Sequence, residues 1–298
     1  MKRKLSGILV SSPYLVWSII FIVVPLAMIM YYAFTDASGN FTFNNINEIL
    51  KIEVLNSLLL SMLYAAIATA ISLLLAYPLA YYMSTVSKSA QQTMMLLAML
   101  PMWMNLLIRT YSLMLILENN GIINNILKLL GLPKVQLINT PGAVILGMIY
   151  NFLPYMILPI YSVMTKFDNS ILEAASDLGA NGFQKFRRII LPMSVPGIVS
   201  GITMVFVPCV STFYISQKLG GAKTMLIGDM IERKFQGEMN YNVGAALSLI
   251  LMVLILISMA LMNRYSDDDG QGVLIWRKVF RLKSTPFSYI CFYTHQFL

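Results

Sequence analysis

No Asp, Glu, Lys or Arg occurs between Val54 and Ser87. Uncharged apolar runs longer than about 18 residues are candidates to cross a bilayer, and residues 13–34, 142–164, 194–217 and 243–262 form further runs of the same kind. Inside hydrocarbon every backbone N–H and C=O must be paired within the protein, so only helices and closed barrels span it. Barrel strands alternate apolar and polar residues, and these runs do not. The fold class is therefore all-α, a polytopic membrane protein. Composition agrees, with 58% hydrophobic and 11% charged residues where soluble domains carry about 25% charged.

Six transmembrane helices are expected, at residues 13–34, 54–87, 92–117, 142–164, 194–217 and 243–262. Pro78 is expected to kink the second, Pro101 and Arg109 interrupt the third, and Pro154 and Pro159 lie inside the fourth. Lys2, Arg3 and Lys4 precede the first span, which places the N-terminus in the cytoplasm because basic residues are retained there. Six spans then return the chain at Asn263-Arg264 to the same side, so both termini are cytoplasmic. The N-terminus resembles a signal peptide, but the apolar run continues to Phe34 without a small-residue cleavage site, giving a retained first span. Residues 1–264 form the membrane domain, residues 166–193 a cytoplasmic hairpin within it, and residues 265–298 a tail. Three outer segments remain: 35–53 with a turn at Gly39-Asn40, 118–141 with a short amphipathic helix over 122–130, and 218–240 with a helix around 225–235.

The net charge of +8 follows from basic residues flanking spans, with no separate patch for nucleic acid. Cys209 and Cys291 give neither a disulfide framework nor metal spacing, and Asp267, Asp268 and Asp269 read as a solvated cluster. His295 stands alone, so no metal site is expected. Gly220 to Thr224 echoes a phosphate loop, but Ala222 occupies the place directly before Lys223 where the pattern requires Gly. No nucleotide site or catalytic set is present.

Residues 166–197 read KFDNSILEAASDLGANGFQKFRRIILPMSVPG, a charged stretch between two uncharged runs. Asp168, Asn169 and Ser170 are N-cap candidates, and Ser170 to Glu173 fits a capping box. Ile171, Leu172, Ala175 and Leu178 fall on one helical face, and Gly179 sits where a left-handed C-terminal residue belongs. A second helix is expected over 182–190, with Phe183, Phe186 and Ile190 on one side, ended by Pro192 and Pro196.

Glu173-Ala174-Ala175, three residues, Gly179, nine residues, then Ile189-Ile190-Leu191-Pro192 resembles the EAA signature of ABC importer permeases. Gly179-Ala180, Phe186 and Pro196-Gly197-Ile198 match as well, and the resemblance runs over residues 14–276. It implies a type I importer permease architecture in a bacterial cell (inner) membrane, with the hairpin as a coupling helix docked on a cytoplasmic ATPase dimer. On this resemblance Glu173, Ala174, Ala175, Asp177, Leu178, Gly179, Ala180, Phe183, Phe186, Leu191 and Pro192 form the coupling surface. Alanines allow close approach and Gly179 permits the turn, while Glu173 either caps the helix or pairs with a basic partner. The implied partners are that ATPase, a second homologous permease, an extracytoplasmic substrate-binding protein and membrane lipid. ATP–Mg is used by the ATPase subunit and no cofactor is bound by this chain. The runs PMWMNLLIRTYSLMLIL (101–117), NNGIIN (119–124) and LGGAKTMLIGDMI (219–231) resemble the polyamine branch of the family, which handles spermidine and putrescine. Thiamine, ferric iron and opine importers share the architecture.

Candidate path residues are Asn105, Arg109, Tyr111, Tyr150, Asn151, Tyr155 and Tyr214. Tyrosine faces attract ammonium groups by about 0.5–2 kcal/mol, though tyrosines also form interfacial belts. Asn105 and Asn151, if buried, want partners across helices. Arg109 is costly within a span and would repel a polycation. Three roles are open to it: pairing with Glu118 or Asp229, contact with the binding protein, or snorkelling to the outer interface. A transporter coupled to ions is the rival class, but such proteins place acids inside their spans, and this chain has none there. The segment over 277–298 departs from the family pattern; it reads as read-through or a shifted frame and is assigned no function, with a membrane-surface segment as the alternative.

Overall fold

The computed structural model describes residues 13–36, 38–221 and 224–263. The Lys2-Arg3-Lys4 cluster, Lys223, the Asp267 to Asp269 cluster, Cys291, His295 and the rest of the tail lie outside the described residues.

In chain order the helices are α1 (Pro13–Ala33), α2 (Ile52–Thr85), α3 (Lys88–Trp103), α4 (Leu106–Leu117), α5 (Ile122–Leu129), α6 (Pro141–Met164), α7 (Asn169–Asp177), α8 (Gly182–Ser211), α9 (Tyr214–Leu219), α10 (Ile227–Glu232) and α11 (Tyr241–Asn263). Helices α1, α2, α6, α8 and α11 are long and apolar enough to cross a membrane. The expected third span is instead broken, with α3 and the α4–α5 segment meeting at 91°. Met104 and Asn105 are extended at the break, and the Asn105 side chain accepts the Leu107 amide at 2.8 Å. Pro101 lacks an amide to continue the ladder, and a capping Asn offers the backbone a competing partner. The two together turn the chain.

Two further expectations are corrected. Pro192 and Pro196 do not end the second hairpin helix, because α8 runs through both. A proline ring clashes with the carbonyl four residues back. Here a wide π turn over Phe186–Ile190, closed by the Leu191 amide on the Phe186 carbonyl, immediately precedes Pro192. The same device, a π turn over Ile19–Val23, precedes Pro25 in α1. At its other end α8 stops at Ser211, since Thr212 is extended, and Tyr214 to Gln217 belong to the separate helix α9.

Helix α6 forms the centre, packed most extensively against α2 and α8. Lipid tails provide no hydrophobic force between helices, so association depends on close packing of small side chains. On α2, Ser57, Ser61, Ala65, Ala68, Ser72, Ala76 and Ala80 form one buried stripe at helical spacing. On α8, a Cβ at Gly197 would lie 2.8 Å from the Pro159 carbonyl oxygen and 3.0 Å from the Ile160 Cα, both on α6. Met148, Met156 and Ile160 of α6 are wholly buried. Helix α1 lies at the margin against α11, and its apolar side chains face outward.

Polar clamps close the two ends. At the hairpin end the Tyr77 and Ser194 hydroxyls lie 3.0 Å apart, and Tyr161 donates to Gln91 at 3.1 Å. At the far end the Asn242 side-chain amide reaches the Thr35 carbonyl at 2.6 Å, and Asn45 reaches it at 2.7 Å. Together they join the end of α1 to the start of α11.

Overpacking a close backbone contact costs about 1–3 kcal/mol or more. Gly197→Val is therefore expected to lower the melting temperature of the detergent-purified protein. Gly182→Ala, whose Cβ would meet nothing within 4 Å, should leave it unchanged.

Candidate functional site

The hairpin hangs between α6 and α8, the two helices of the central contact. Helix α7 begins at Asp168, whose side chain accepts the Ser170 amide at 2.9 Å. The expected Ser170–Glu173 capping box is not formed, because Asp168, two residues earlier, already takes that amide. The Ser170 amide and hydroxyl hold the Asp168 carboxyl below the ordinary carboxylate range. The cap is therefore complete at neutral pH and is lost only as pH falls through that lowered value. Glu173 is exposed and has no hydrogen-bond or ion-pair partner among the described residues, so capping is not its role.

Helix α7 ends in a full Schellman motif. The Ala180 amide donates to the Ala175 carbonyl and the Gly179 amide to the Ser176 carbonyl, both at 2.9 Å, with Gly179 at φ +79°. A side chain is strained at that φ. The second arm begins at Asn181 with a reciprocal capping box to Gln184, and Lys185 donates to the Ser176 hydroxyl at 3.1 Å to close the hairpin.

Only part of the apolar stripe on α7 is covered. Ala175 is buried and Leu172 packs on the core, while Ile171 and Leu178 are exposed. Glu173, Ala174, Asp177 and Gly179 share that exposure, and Ala180 is half-buried. On the second arm Phe183 is 68% exposed, against the expectation that it shares one face with Phe186 and Ile190. Phe186 instead turns inward, edge-on to the Tyr77 ring at 5.8 Å. Leu191 and Pro192 are half-buried at the base of α8.

The candidate path residues are not gathered into one site. Arg109 is 4% exposed, and its Nη1 reaches the Asn151 carbonyl at 3.5 Å while Nε has no partner. It pairs with neither Glu118 nor Asp229, and its burial rules out snorkelling and a contact at this chain's surface. The bend before α4 accompanies the seating of Arg109 on α6 at the Asn151 carbonyl. Asn151 is buried beside it and donates to the Thr110 hydroxyl on α4 at 3.2 Å and to the Gly147 carbonyl at 2.9 Å. Asn105 is exposed, so the condition for a partner across helices is not met, and it caps its own helix. Tyr111 and Tyr150 face outward, Tyr155 is half-buried beside Phe152, and Tyr214 lies under Lys218 Nζ at 5.7 Å.

Several residues that hold the far end escaped the sequence. Asp229 Oδ1 accepts the Ser216 hydroxyl at 2.9 Å and Oδ2 the Leu226 amide at 2.8 Å, fastening α10 to α9. The Ile227 amide donates to Ser61 Oγ of α2 at 2.8 Å. Burial pushes the Asp229 carboxyl up to about 6; the Leu226 amide and Ser216 hydroxyl oppose the shift and nearby Glu232 adds to it. Asn124 accepts the Val135 amide and donates to the Glu118 and Val135 carbonyls, holding α5 against its loop. Ser61 looks like any member of a small-residue stripe, so only Asp229, an acid three residues after Leu226 at the start of a short helix, carried a readable signal.

Residues 71–268 match the family described as binding-protein-dependent transport system inner membrane component. The chain is 40% identical over 251 residues to a spermidine/putrescine transport system permease protein of Haemophilus influenzae, covering 80% of this chain and 86% of that protein. It is 38% identical over 245 residues to the corresponding permease of Escherichia coli K12, covering 80% and 89%. Its fold is similar to a chain in the crystal structure of a bacterial ABC transporter involved in import of the acidic polysaccharide alginate. There the TM-score is 0.78 at 18% identity, over 90% of this chain and 97% of that one.

If Asp168 caps α7, Asp168→Ala will speed amide hydrogen exchange at Ser170 and Ile171, whereas Glu173→Ala will not. The reverse result would restore the capping box that the sequence suggests.

Proposed function

The chain belongs to the inner-membrane components of binding-protein-dependent transport systems, and from that premise we propose that it imports polyamines, spermidine and putrescine, as half of a heteromeric translocation path. It is a multi-pass permease subunit of an ABC importer, in a family that carries no nucleotide-binding domain of its own. On our reading the bent α3–α4 pair counts as one span, giving six in the type I arrangement. Both termini and the hairpin face the cytoplasm, and the far end carrying α9 and α10 faces the substrate-binding protein.

One observation carries the coupling role. The EAA spacing falls on a hairpin that is capped at both ends, anchored between α6 and α8, and left with an exposed apolar and acidic face. Ile171 and Leu178 supply unpartnered apolar surface for the ATPase groove, Ala174 permits close approach, and Glu173 is available to a basic residue. Closure of the ATPase dimer on ATP then moves the hairpin. Phe186, seated on Tyr77, carries that motion from α8 to α2, and the packed helices rock as a body to open the path outward. Hydrolysis lets them return. The reacting phosphates stay in the partner, so the task of this chain is conformational. Within the membrane, Arg109 with Thr110 and Asn151 holds the bent segment to α6, a structural role compatible with a cationic cargo. The polyamine assignment is supported by the kinship to the two spermidine/putrescine permeases.

Proteoliposomes holding this chain with its second permease, ATPase and binding protein should take up spermidine only when supplied with ATP; uptake without ATP would overturn the importer mechanism. Gly179→Asp is expected to abolish co-purification of the ATPase while leaving membrane insertion intact. Normal co-purification would remove the hairpin from the interface.

A further inference from the structure

We infer that α5 lies in the outer headgroup layer of the membrane, its apolar stripe set into the lipid and Lys128 among anionic phosphates. The inference rests on the six-span placement above and is independent of the cargo.

The helix is fixed with its apolar side outward. A Cβ at Gly121 would lie 2.5 Å from the Leu115 carbonyl oxygen and 2.6 Å from that of Ile116, so α5 is pressed against the end of α4 where a side chain has no room. Asn124 is 1% exposed, and it bonds the Val135 amide and the Glu118 and Val135 carbonyls. Lys134 Nζ donates to Asn120 Oδ1 at 2.8 Å, and the Leu132 amide donates to the Leu127 carbonyl at 2.9 Å. These bonds close the following loop onto the inner side of the helix. Ile122, Ile126, Leu129 and Leu130 are left on the outer side at helical spacing, Leu129 being 86% exposed, and Leu132 and Val135 extend the patch.

A polar residue turned in with aliphatic ones turned out reverses the pattern of a helix that faces water. A contiguous apolar surface of this kind marks contact with a membrane or with another protein, and three features favour lipid. Helix α4, joined to α5 through Glu118 to Gly121, belongs to a span on our reading and turns Leu107, Ile108 and Leu115 outward. The ridge on α5 therefore continues a surface that already faces lipid. Protein interfaces depend on Trp, Tyr and Arg anchors, and residues 122–135 contain none of these. Lys128 and Lys134 are the only charged residues between Glu118 and Lys166, so no acid there repels a phosphate. Lys128 is exposed, lies off the stripe, and its ammonium has no partner among the described residues. An ammonium carries three donors and no acceptor, which phosphate oxygens match. Leu and Ile on one side with Lys off it is the composition of a helix that lies in the interface plane.

The test places the photo-cross-linking residue benzoylphenylalanine at Leu129, and in a second protein at Leu130. Each is assembled into the complete transporter with its binding protein, in vesicles of phosphatidylglycerol and phosphatidylcholine. Both positions are exposed, so the chain folds with either replacement. Irradiation should give phospholipid adducts at both positions, read as a mass shift of the peptide, and none at Gln236, an exposed residue beyond α10. Cross-links from both to the binding protein or the second permease, no adduct at either, or an equal yield at Gln236 would overturn the inference. Lys128→Gln should lower the ratio of phosphatidylglycerol to phosphatidylcholine adducts roughly fivefold, the effect of one basic residue at an anionic surface. An unchanged ratio would overturn the phosphate contact. Cross-linking needs neither ATP nor spermidine, so spermidine uptake without ATP would overturn the importer mechanism and leave the lipid contact standing.

Discussion

At Gly197 the backbone of α8 approaches α6 so closely that a single methyl group would meet the Pro159 carbonyl oxygen at 2.8 Å. Gly201, one turn further on, lies against Met156, whose side-chain sulfur would meet an added methyl at 2.7 Å and whose carbonyl oxygen would meet it at 3.2 Å, but at Gly197 the nearest atoms are backbone. No side chain cushions this contact, so the two helices hold one fixed distance and register, and packing gained there depends on short-range contact that falls away steeply with separation. The hairpin joins precisely the ends of these two helices, and its geometry is therefore set by theirs. Helix α2, with its stripe of Ser and Ala, completes the central layer on the other face of α6. Everything at the hairpin end is hung from that three-helix body.

The polar groups at the two ends solve a related problem. Each helix end leaves backbone groups unpaired, and near a bilayer they must be satisfied locally. Gly179 and Gly131 do so with the same motif, each at positive φ with paired amides folding back onto the preceding turn. Asp168, Asn181, Asn105 and Thr140 take the opposite ends with side-chain oxygens. Asn242 and Asn45 go further and converge on one carbonyl, that of Thr35, across elements far apart in sequence. Short polar side chains thus do at the ends what glycine does in the middle.

Much of this was legible in the residues. Charge-free runs located the long helices because hydropathy reports directly on transfer to lipid, and glycine after an amphipathic segment located the helix stop at Gly179. The EAA spacing singled out the hairpin. What failed had a common cause, since local rules for proline and capping cannot see a neighbouring turn. Pro192 reads as a terminator until a π turn before it accommodates the ring, whereas Pro101 near the end of α3 with Asn105 beyond it does break the chain. Ser170 reads as a cap until Asp168 is seen to hold its amide. Arg109 was singled out, yet its contact with the Asn151 carbonyl depends on a bend that no run of apolar residues records. Ser61 on Ile227 and Phe186 on Tyr77 join residues from distant segments, and such pairs are invisible in one chain read in order.

The continuity of α8 through Pro192 has a mechanical meaning. Its 30 residues at about 1.5 Å each give a rod of about 45 Å, against a hydrocarbon layer of about 30 Å. One end is the second arm of the hairpin and the other stops at the extended Thr212, beside the Gly228 contact that seats α10. Such a rod acts as a lever. A tilt of about 10° about one end carries the other through about 8 Å. In the proposed cycle the reach of the hairpin is thus a property of a helix that three prolines, Pro192, Pro196 and Pro208, fail to interrupt.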